Sequence, residues 1–326
     1  MVIKRKHIKC KGKFVTIIIP TFNRMRKLIK CINSVLDNDY KYKYIIVSDD
    51  ASTDGTENAI KKYINKKNFL YLRNSNESLL SVTINNAIQF SKGEYIFILD
   101  DDNILQKNCI SNLVSSFKSH KKAGIVGPLA LYKSHKDIIM HAGTTRSRFM
   151  RRAIFIHMNE KWNGQIEEGE EVEDFANAFM FKKKIINKIG MWDLLVPFVG
   201  EDGNFEARVR KAGYKIIINP KAITYHDIPY NPNERYFIRV NKLRLYYTMR
   251  NKIINEFRYD TLIGRLTFSI SMPIYLCYYI LLINKSNKNL KEKLELLKYL
   301  FKGTADGIKN ALLNKSKIIW QQNQKN

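Results

Sequence analysis

The strongest constraint on the fold is a short apolar run that ends in three consecutive acids. Tyr95 to Leu99 reads YIFIL, the length and composition of a strand buried on both faces, and Asp100, Asp101 and Asp102 follow it directly. Adjacent carboxylates repel one another and are costly near a core unless a cation or a proton offsets their charge. The run therefore predicts a buried strand that ends either in a cation site or in a solvated acidic turn.

Side-chain direction favours the cation site. Side chains alternate along an extended chain, so Asp100 and Asp102 are expected to point the same way and Asp101 elsewhere. Two carboxylates of this kind suit Mn²⁺ or Mg²⁺, with coordination positions left open for phosphate oxygens. In an open α/β sheet, ligands bind at the carboxyl ends of the strands. We therefore favour a D-x-D metal site on Asp100 and Asp102.

The pattern of apolar run, polar loop and helical periodicity repeats along the chain. Such alternation predicts an α/β fold with a mostly parallel central sheet flanked by helices. The predicted strands are 15–19, 44–47, 69–72, 95–99, 123–128 and 175–181, with two short strands after Gly213. The predicted helices are 25–36, one through 59–63, 82–90, 110–117, 183–189 and 204–212.

Two stretches are less informative. Residues 133–165 show no clear periodicity, although Arg146, Arg148, Arg151 and Arg152 lie close together in them. The acidic run 167–174 is interpreted as a solvated loop and not as a second metal site.

The charge of the chain is strongly positive. There are 56 Lys+Arg against 30 Asp+Glu, a formal net charge of +26. Such a surplus attracts polyanions, anionic lipids or phosphorylated substrates. Nucleic acid is not the predicted partner, because no zinc spacing, basic-region heptad or aromatic RNA-binding motif is present. A basic nucleic-acid-binding protein stays an alternative, but it leaves the DDD and GED motifs unexplained.

The four cysteines indicate a reducing compartment. Cys10, Cys31, Cys109 and Cys277 are widely scattered and show no C-x-x-C pairing. The start, MVIKRKHIKCKGK, is basic but lacks the apolar run of a signal peptide. We therefore expect the main body of the protein in the cytoplasm.

Four segments taken together resemble glycosyltransferase family 2, a family of nucleotide-sugar enzymes with the GT-A fold. They are VTIIIPTFNR, IIVSDDASTDGT, KGEYIFILDDDN and FVGEDGNFEARVRKAGYKI, the last followed by ITYH. The resemblance covers residues 14–226, with the motifs in the order and at the spacing of the family. It implies a Rossmann-like GT-A domain whose strand ends assemble one active site.

The resemblance also implies a role for particular residues. Asp100, Asp102 and His226 would hold a divalent cation, Mn²⁺ or Mg²⁺, that bridges the donor diphosphate. Asp202 would be the general base, and Glu201 would orient the acceptor or contact the donor. The nucleotide would be bound by Pro20, Thr21, Phe22, Asn23, Arg24, Asp49, Asp50 and Asp101, with Asp49 accepting a hydrogen bond from the base.

Simpler interpretations stand beside these roles. His226 could be a lone surface histidine. Glu201 and Asp202, just before a predicted helix, could also complement the dipole at its N-terminus, which is compatible with a catalytic role. Trp192 is predicted to pack in the core and not against a sugar. The sequence departs from the family at Ser78, where a glycine is usual, so donor contacts in that loop stay open.

The function implied by the resemblance is inverting glycosyl transfer by direct displacement. The donor would be a nucleoside diphosphate sugar, with UDP as the default, and the acceptor a hydroxyl of a lipid-linked or polysaccharide acceptor. A metal-dependent sugar-phosphate nucleotidyltransferase is the alternative enzyme. Such an enzyme usually has a glycine-rich phosphate loop after its first strand, whereas this chain has PTFNR.

The last third of the chain predicts membrane contact. Arg235, Arg239 and Lys242 fall on one face of a predicted helix, and residues 266–283 carry no formal charge. Basic and apolar helices of this kind suit peripheral docking on an anionic cytoplasmic leaflet. A single embedded helix near 262–283 and a helix packed on the domain are alternatives. The predicted organisation is a basic extension 1–13, a GT-A domain 14–232 and a membrane-associating helical region 233–326.

Overall fold

The structure is a computed structural model that describes residues 14–232, 240–313 and 318. The predicted basic extension 1–13 lies outside the described residues, as do Arg235 and Arg239. The proposed domain limits stay predictions.

The strands form one large mixed sheet and one small hairpin. The strands are β1 (Val15–Thr21), β2 (Lys43–Asp49), β3 (Phe69–Arg73), β4 (Tyr95–Leu99), β5 (Asn103–Leu105), β6 (Ala123–Tyr132), β7 (Ile139–His141), β8 (Thr144–Arg146), β9 (Ala153–Phe155), β10 (Ala178–Lys182) and β11 (Lys215–His226). The large sheet has the order β3-β2-β1-β4-β10-β6-β11-β5, with β7 paired to β6, while β8 and β9 pair only with each other.

Helices cover both faces of the large sheet and extend beyond it. They are α1 (Met25–Leu36), α2 (Thr56–Ile64), α3 (Leu80–Ile88), α4 (Cys109–Ser119), α5 (Ile186–Ile189, after a 3₁₀ turn Lys183–Ile185), α6 (Glu201–Lys211), α7 (Lys242–Tyr259), α8 (Leu262–Lys285) and α9 (Leu290–Leu312).

The apolar strands are buried because each face of the sheet has its own core. Along β1, Ile17 and Ile19 pack in a core with α1, α2 and α4, whereas Ile18 packs in the opposite core with α3 and α6. Strands buried on both faces lose the alternation of apolar and polar residues. The predicted α/β fold is confirmed, and the three uncharged runs VTIII, YIIV and YIFIL are strands as predicted.

One strand interrupts the parallel order. β3, β2, β1 and β4 are parallel, but β10 runs antiparallel to both of its neighbours, β4 and β6. The sheet is therefore mixed at its centre and mostly parallel elsewhere.

The first strand is longer than predicted and continues through Pro20 to Thr21. The Thr21 carbonyl accepts from Asp50 N at 3.0 Å on the β2 side, so Pro20 faces the β4 side. There the pairing ends at Ile18. The missing proline N–H therefore leaves no strand partner unsatisfied.

Two predicted boundaries near the site were wrong. β11 is one strand with an irregularity between Asn219 and Ile223, not two short strands, because both parts pair with β6. The helix predicted to begin at Asn204 begins at Glu201. Gly200 precedes it with φ 85°, a left-handed conformation that glycine adopts without strain.

The C-terminal helices pack on one another around a separate core. α9 lies directly against α7, and a Cβ at Gly303 would stand 2.3 Å from the Tyr246 carbonyl oxygen. The separate core is formed by Leu245, Met249, Ile253, Phe268, Tyr275, Ile283, Leu296 and Leu300.

Helix α8 is exposed for an apolar helix. It is the one helix of the described residues that is long and apolar enough to cross a membrane, and only 22% of its most apolar window is buried. Pro273 lies inside it.

Candidate active site

The three acids form a turn and not an extended strand end. After β4 the Asn103 N–H donates to the Asp100 carbonyl at 3.1 Å, which closes a tight turn into β5. The alternation predicted for Asp100 and Asp102 therefore does not apply. We call Asp100, Asp101 and Asp102 the acidic turn.

Arg24, at the start of α1, neutralises part of the acidic turn. Its guanidinium donates to Asp101 Oδ1 at 2.8 Å and to Asp102 Oδ2 at 2.7 Å. Thr21 Oγ1 donates to the other Asp101 oxygen at 2.7 Å. Burial raises the pKa of Asp101 to about 6, although Arg24 and Thr21 act in the opposite direction. The end of β1 thus holds the end of β4 through charge-assisted hydrogen bonds.

Asp102 and His226 are brought together by the pairing of β5 with β11. His226 is opposite Asn103 in the sheet, and its Nε2 lies 3.0 Å from Asp102 Oδ1. Lys27 Nζ lies 3.5 Å from Asp102 Oδ2. Burial alone would raise the pKa of Asp102, but the hydrogen bond and charge of His226 and the charges of Arg24 and Lys27 outweigh it. They hold that pKa well below its usual range.

Asp100 has the opposite electrostatic environment. Burial and the neighbouring carboxylates of Asp102, Asp202 and Asp101 raise its pKa well above the usual range, and Arg24 counteracts this only in part. A site in which carboxylates repel one another in this way favours a bound proton or cation.

Asp202 lies across the site from the acidic turn and is held by a buried tryptophan. Trp192 Nε1 donates to Asp202 Oδ1 at 3.0 Å. The indole is fully buried and stacks on Phe205, with ring centroids 4.0 Å apart, which confirms the predicted core position. Burial raises the pKa of Asp202 to about 6, and the hydrogen bond from Trp192 acts against that rise.

Glu201 precedes Asp202 at the start of α6. Burial, followed by the charge of Asp202, raises its pKa to about 8. The two adjacent carboxyl groups therefore differ in their proton affinity, with Asp202 the more acidic.

Helix α7 fixes the loop that leads to these two acids. Asn251 Nδ2 donates to the Phe198 and Val199 carbonyls at 2.6 and 3.0 Å, and Asn255 Nδ2 donates to the Gly200 carbonyl at 3.0 Å. Val199 has φ 58°, which is strained for a β-branched residue. The hydrogen bonds from α7 hold this loop in place, a role that the sequence analysis did not predict for the asparagines of a basic helix.

Most of the predicted site residues line one cavity of about 1090 Å³. They are Pro20, Thr21, Phe22, Arg24, Asp50, Asp100, Asp101, Glu201 and Asp202. Four predicted residues do not line it: Asn23, which is exposed, and Asp49, Asp102 and His226, which are buried. The structure thus brings Asp202, two acids of the acidic turn and the end of β1 to a common space.

Asp49 and Asp50 are engaged with their own surroundings. Asp49 is fully buried, and its oxygens accept from Tyr71 OH at 2.5 Å and Ser52 N at 2.9 Å. Asp50 accepts from the backbone N–H groups of Ser78 and Leu79, both at 2.9 Å. Asp50 therefore holds the loop in which Ser78 replaces the usual glycine.

The far end of the cavity was not predicted. It is formed by the β8–β9 hairpin, α7 and α8, and its polar and aromatic members include Arg146, Arg151, Arg152, Lys252, Glu256, Tyr275, Tyr278 and Tyr279. The clustered arginines were visible in the sequence, but nothing local indicated that α7 and α8 would close the space opposite them.

Partly buried ion pairs join the parts of this far end. Arg146 lies 2.6 Å from Glu256 and 3.2 Å from Glu173, while Arg151 lies 2.6 Å from Asp260. The interpretation of 167–174 as a solvated loop was wrong at its end, because Asp174 accepts from Thr144 and lines the cavity.

Comparisons with known proteins agree on one family. The model of "Glycosyl transferase family 2" matches residues 16–190. The chain is 26% identical over 251 residues to the poly(ribitol-phosphate) beta-N-acetylglucosaminyltransferase TarP of Staphylococcus aureus, covering 71% of each chain. It is 34% identical over 109 residues to the GalNAc(5)-diNAcBac-PP-undecaprenol beta-1,3-glucosyltransferase of Campylobacter jejuni, covering 31% of this chain and 33% of that one.

A solved structure shares the fold. The crystal structure of S. aureus TarS 1–349 in complex with UDP-GlcNAc superposes with a TM-score of 0.58 over 91% of this chain and 81% of that chain. The sequence identity is 16%, so this likeness concerns the fold alone.

The hydrogen bond from Trp192 is predicted to control the acidity of Asp202. In Trp192→Phe the ring remains but the N–H is lost, so the charged carboxylate loses a hydrogen bond worth about 1.5–3 kcal/mol. We expect the titration midpoint of Asp202 to rise by about one pH unit or more, measured by carbon-detected NMR of its carboxyl group. Trp162→Phe is the matched control, and an unchanged midpoint in Trp192→Phe would contradict the assignment.

Proposed function

The chain belongs to glycosyl transferase family 2, and we propose that it transfers a sugar from a nucleoside diphosphate sugar to an acceptor hydroxyl, with inversion. The observation that carries this proposal is the cavity that Asp202 shares with Asp100 and Asp101 of the acidic turn. A base and a diphosphate site must face the same reacting carbon, and one cavity allows this.

Asp202 is the general base of the proposed reaction. At neutral pH it is ionised, since its pKa is about 6. It accepts the proton of the acceptor hydroxyl while that oxygen bonds to the anomeric carbon of the donor. The bond from the same carbon to the diphosphate breaks, and the nucleoside diphosphate leaves with the electron pair. A single displacement of this kind inverts the anomeric centre.

The acidic turn fits a divalent cation, Mn²⁺ or Mg²⁺. His226 Nε2 lies 3.0 Å from Asp102 Oδ1. Asp100 is close to other carboxylates, and a cation would reduce the repulsion between them. No group of three or more Asp, Glu, His or Cys among the described residues could hold a metal on its own. A cation bound there would need further ligands, such as the phosphate oxygens of the donor. Such an ion would stabilise the negative charge of the leaving diphosphate.

The end of β1 is the proposed nucleotide pocket. Phe22 is 39% exposed on the cavity wall, where its ring can stack on a nucleoside base. Arg24 also lines the cavity, and its guanidinium would bind the diphosphate. UDP is the proposed nucleotide, supported by the TarS complex. The role of Asp49 as an acceptor for the nucleoside base stays a prediction, because its carboxylate already accepts hydrogen bonds from Ser52 N and Tyr71 OH.

The far end of the cavity supports an acceptor that carries phosphate. Arg152 is exposed on the cavity wall and makes no ion pair with the residues that the structure describes, and Tyr278 and Tyr279 lie across from the hairpin. Arginine binds phosphate and tyrosine stacks on sugars. The names of the two relatives contain a polyol phosphate and a lipid diphosphate, which supports a glycan or lipid-linked acceptor of this class.

The outer face of α8 is the proposed contact with an anionic membrane at the cytoplasmic side. Its exposed apolar residues are Leu262, Ile263, Leu266, Ile270, Ile274 and Leu281. Exposed lysines follow along α8 and α9 at 285, 291, 298 and 302, and these complement anionic lipid. Because Ile274 also lines the cavity, a lipid-linked acceptor would reach the site beside α8.

Transfer activity tests the base. With a panel of UDP, GDP and dTDP sugars and phosphate-bearing acceptors, Asp202→Asn should lose about 10²–10⁴ in kcat while its affinity for the nucleotide changes little. The wild-type kcat/KM should decrease as the pH is lowered below about 6, because protonated Asp202 cannot accept a proton. Asp137→Asn, at an exposed ion pair with Lys161, is the control. Full activity of Asp202→Asn would contradict the proposal.

Vesicle binding tests the membrane contact. The double variant Leu266→Glu, Ile270→Glu should bind anionic vesicles roughly tenfold more weakly or worse, because it removes two apolar side chains and adds charge. Ser269→Glu adds charge on the same helix without removing an apolar side chain and is the control. Equal binding of wild type to neutral and anionic vesicles would contradict the proposed membrane contact. So would a wild-type dimer, observed without lipid, that is absent in the double variant.

A further inference from the structure

Asn177 has a backbone conformation that few residues other than glycine adopt. Its φ is 71°, in the left-handed region, and it lies directly before β10, on the wall of the cavity. A non-glycine residue in this region is uncommon, and such positions cluster at functional sites. The contacts that Asn177 makes through its backbone and its side chain indicate what this conformation serves.

The backbone of Asn177 holds the first acid of the acidic turn. The Asp100 N–H donates to the Asn177 carbonyl at 2.8 Å, at the point where β4 ends. The pairing of β10 with β4 begins one residue further on, with Ala178 opposite Leu99. Asn177 therefore adds one hydrogen bond beyond the paired strands and fixes the place where the acidic turn begins.

The side chain of Asn177 reaches the histidine on the other side of the site. Asn177 Nδ2 lies 3.5 Å from His226 Nδ1, at the long end of hydrogen bonding. The other ring nitrogen of His226, Nε2, lies 3.0 Å from Asp102 Oδ1. The two ring nitrogens thus face different polar partners, and together these partners set the orientation of the imidazole.

A second buried histidine lies against the same amide. His141 is 1% exposed, and its Nε2 lies 3.4 Å from Asn177 Nδ2. The Gly143 N–H donates to His141 Nδ1 at 3.2 Å, and the ring lies beside Phe155 and Phe175, with centroids 5.4 and 6.4 Å away. The amide of Asn177 is therefore confined between two imidazoles, one of which is fixed in the core.

Asn177 connects two parts of the site that come from separate strands. In the order of the sheet, β10 and β6 lie between β4, which leads to Asp100, and β11, which ends at His226. A histidine that binds a metal through one ring nitrogen is commonly oriented by a polar group at the other nitrogen. Asn177 has this relation to His226, and its carbonyl bonds to Asp100 as well.

We propose that Asn177 is a positioning residue that holds His226 and Asp100 in the arrangement that a divalent cation requires. The inference rests on the proposed function, because it concerns the cation site of the proposed reaction. In this role Asn177 contacts neither the cation nor the substrate. Its carbonyl fixes the acid, and its amide fixes the imidazole.

Metal affinity tests this role. Asn177→Gly removes the amide, and glycine adopts the left-handed conformation without strain, so the carbonyl stays in place. In calorimetric titrations of Mn²⁺ into protein saturated with UDP, this variant should bind Mn²⁺ roughly tenfold more weakly than wild type, or worse. Its UDP binding without Mn²⁺ should equal that of wild type. Asn163→Gly, at an exposed position, is the control.

Three results of these titrations would contradict the proposal. Unchanged Mn²⁺ affinity in Asn177→Gly would overturn the positioning role and leave the proposed cation intact. Weaker UDP binding of this variant without Mn²⁺ would overturn the role as well, because the amide would then serve the nucleotide. If wild type saturated with UDP binds no Mn²⁺, the cation of the proposed function is refuted, and the positioning role with it.

A double-mutant cycle tests the contact without metal. Thermal unfolding of the metal-free protein is compared for wild type, Asn177→Gly, His226→Asn and the double variant. If the amide and the imidazole are in contact, the double variant should lose less stability than the sum of the two single losses, because both substitutions remove the same contact. Additive losses would show that the two side chains are independent and would overturn the inference.

Discussion

The acidic turn is the constraint on which the site depends. Three adjacent carboxylates at the end of a buried strand are tolerated only because Arg24, Lys27 and His226 surround two of them. Arg24 and Lys27 lie at the start of α1 and His226 at the end of β11, so the compensation of charge also joins these two elements to the end of β4. The third carboxylate, Asp100, is left among like charges, whose repulsion the proposed cation would relieve.

Asp202, the proposed base, is positioned by two different parts of the chain. Trp192 reaches Asp202 from the segment before α6, and α7 holds the strained loop at Val199 through Asn251. Helices α7 and α8 therefore belong to the candidate site, because α7 fixes the loop before α6 and both helices line the far end of the cavity. In the proposed reaction these helices would bind the acceptor, and the ends of the sheet strands would bind the donor.

Local pattern predicted the sheet well and the site only in part. The uncharged runs predicted the strands correctly, because a strand that is buried on both faces must be apolar along its length. The motifs identified the acids that lie at the candidate site. The direction of Asp100 and Asp102 could not be predicted, since a hydrogen bond from Asn103 turns the chain before the alternation applies. The link from Trp192 to Asp202 and the ion pairs of Arg146 are also tertiary, and no periodicity in the sequence encodes them.

Calorimetric titration of UDP with and without Mn²⁺ tests the central claim most directly, with wild type, Asp102→Asn and His226→Asn compared. If the acidic turn is a cation-dependent diphosphate site, Mn²⁺ should strengthen UDP binding to wild type by roughly tenfold or more, and both variants should lose that gain. Asp137→Asn should keep it. UDP binding that is the same with and without Mn²⁺ in wild type, or a gain that survives in Asp102→Asn, would contradict the account.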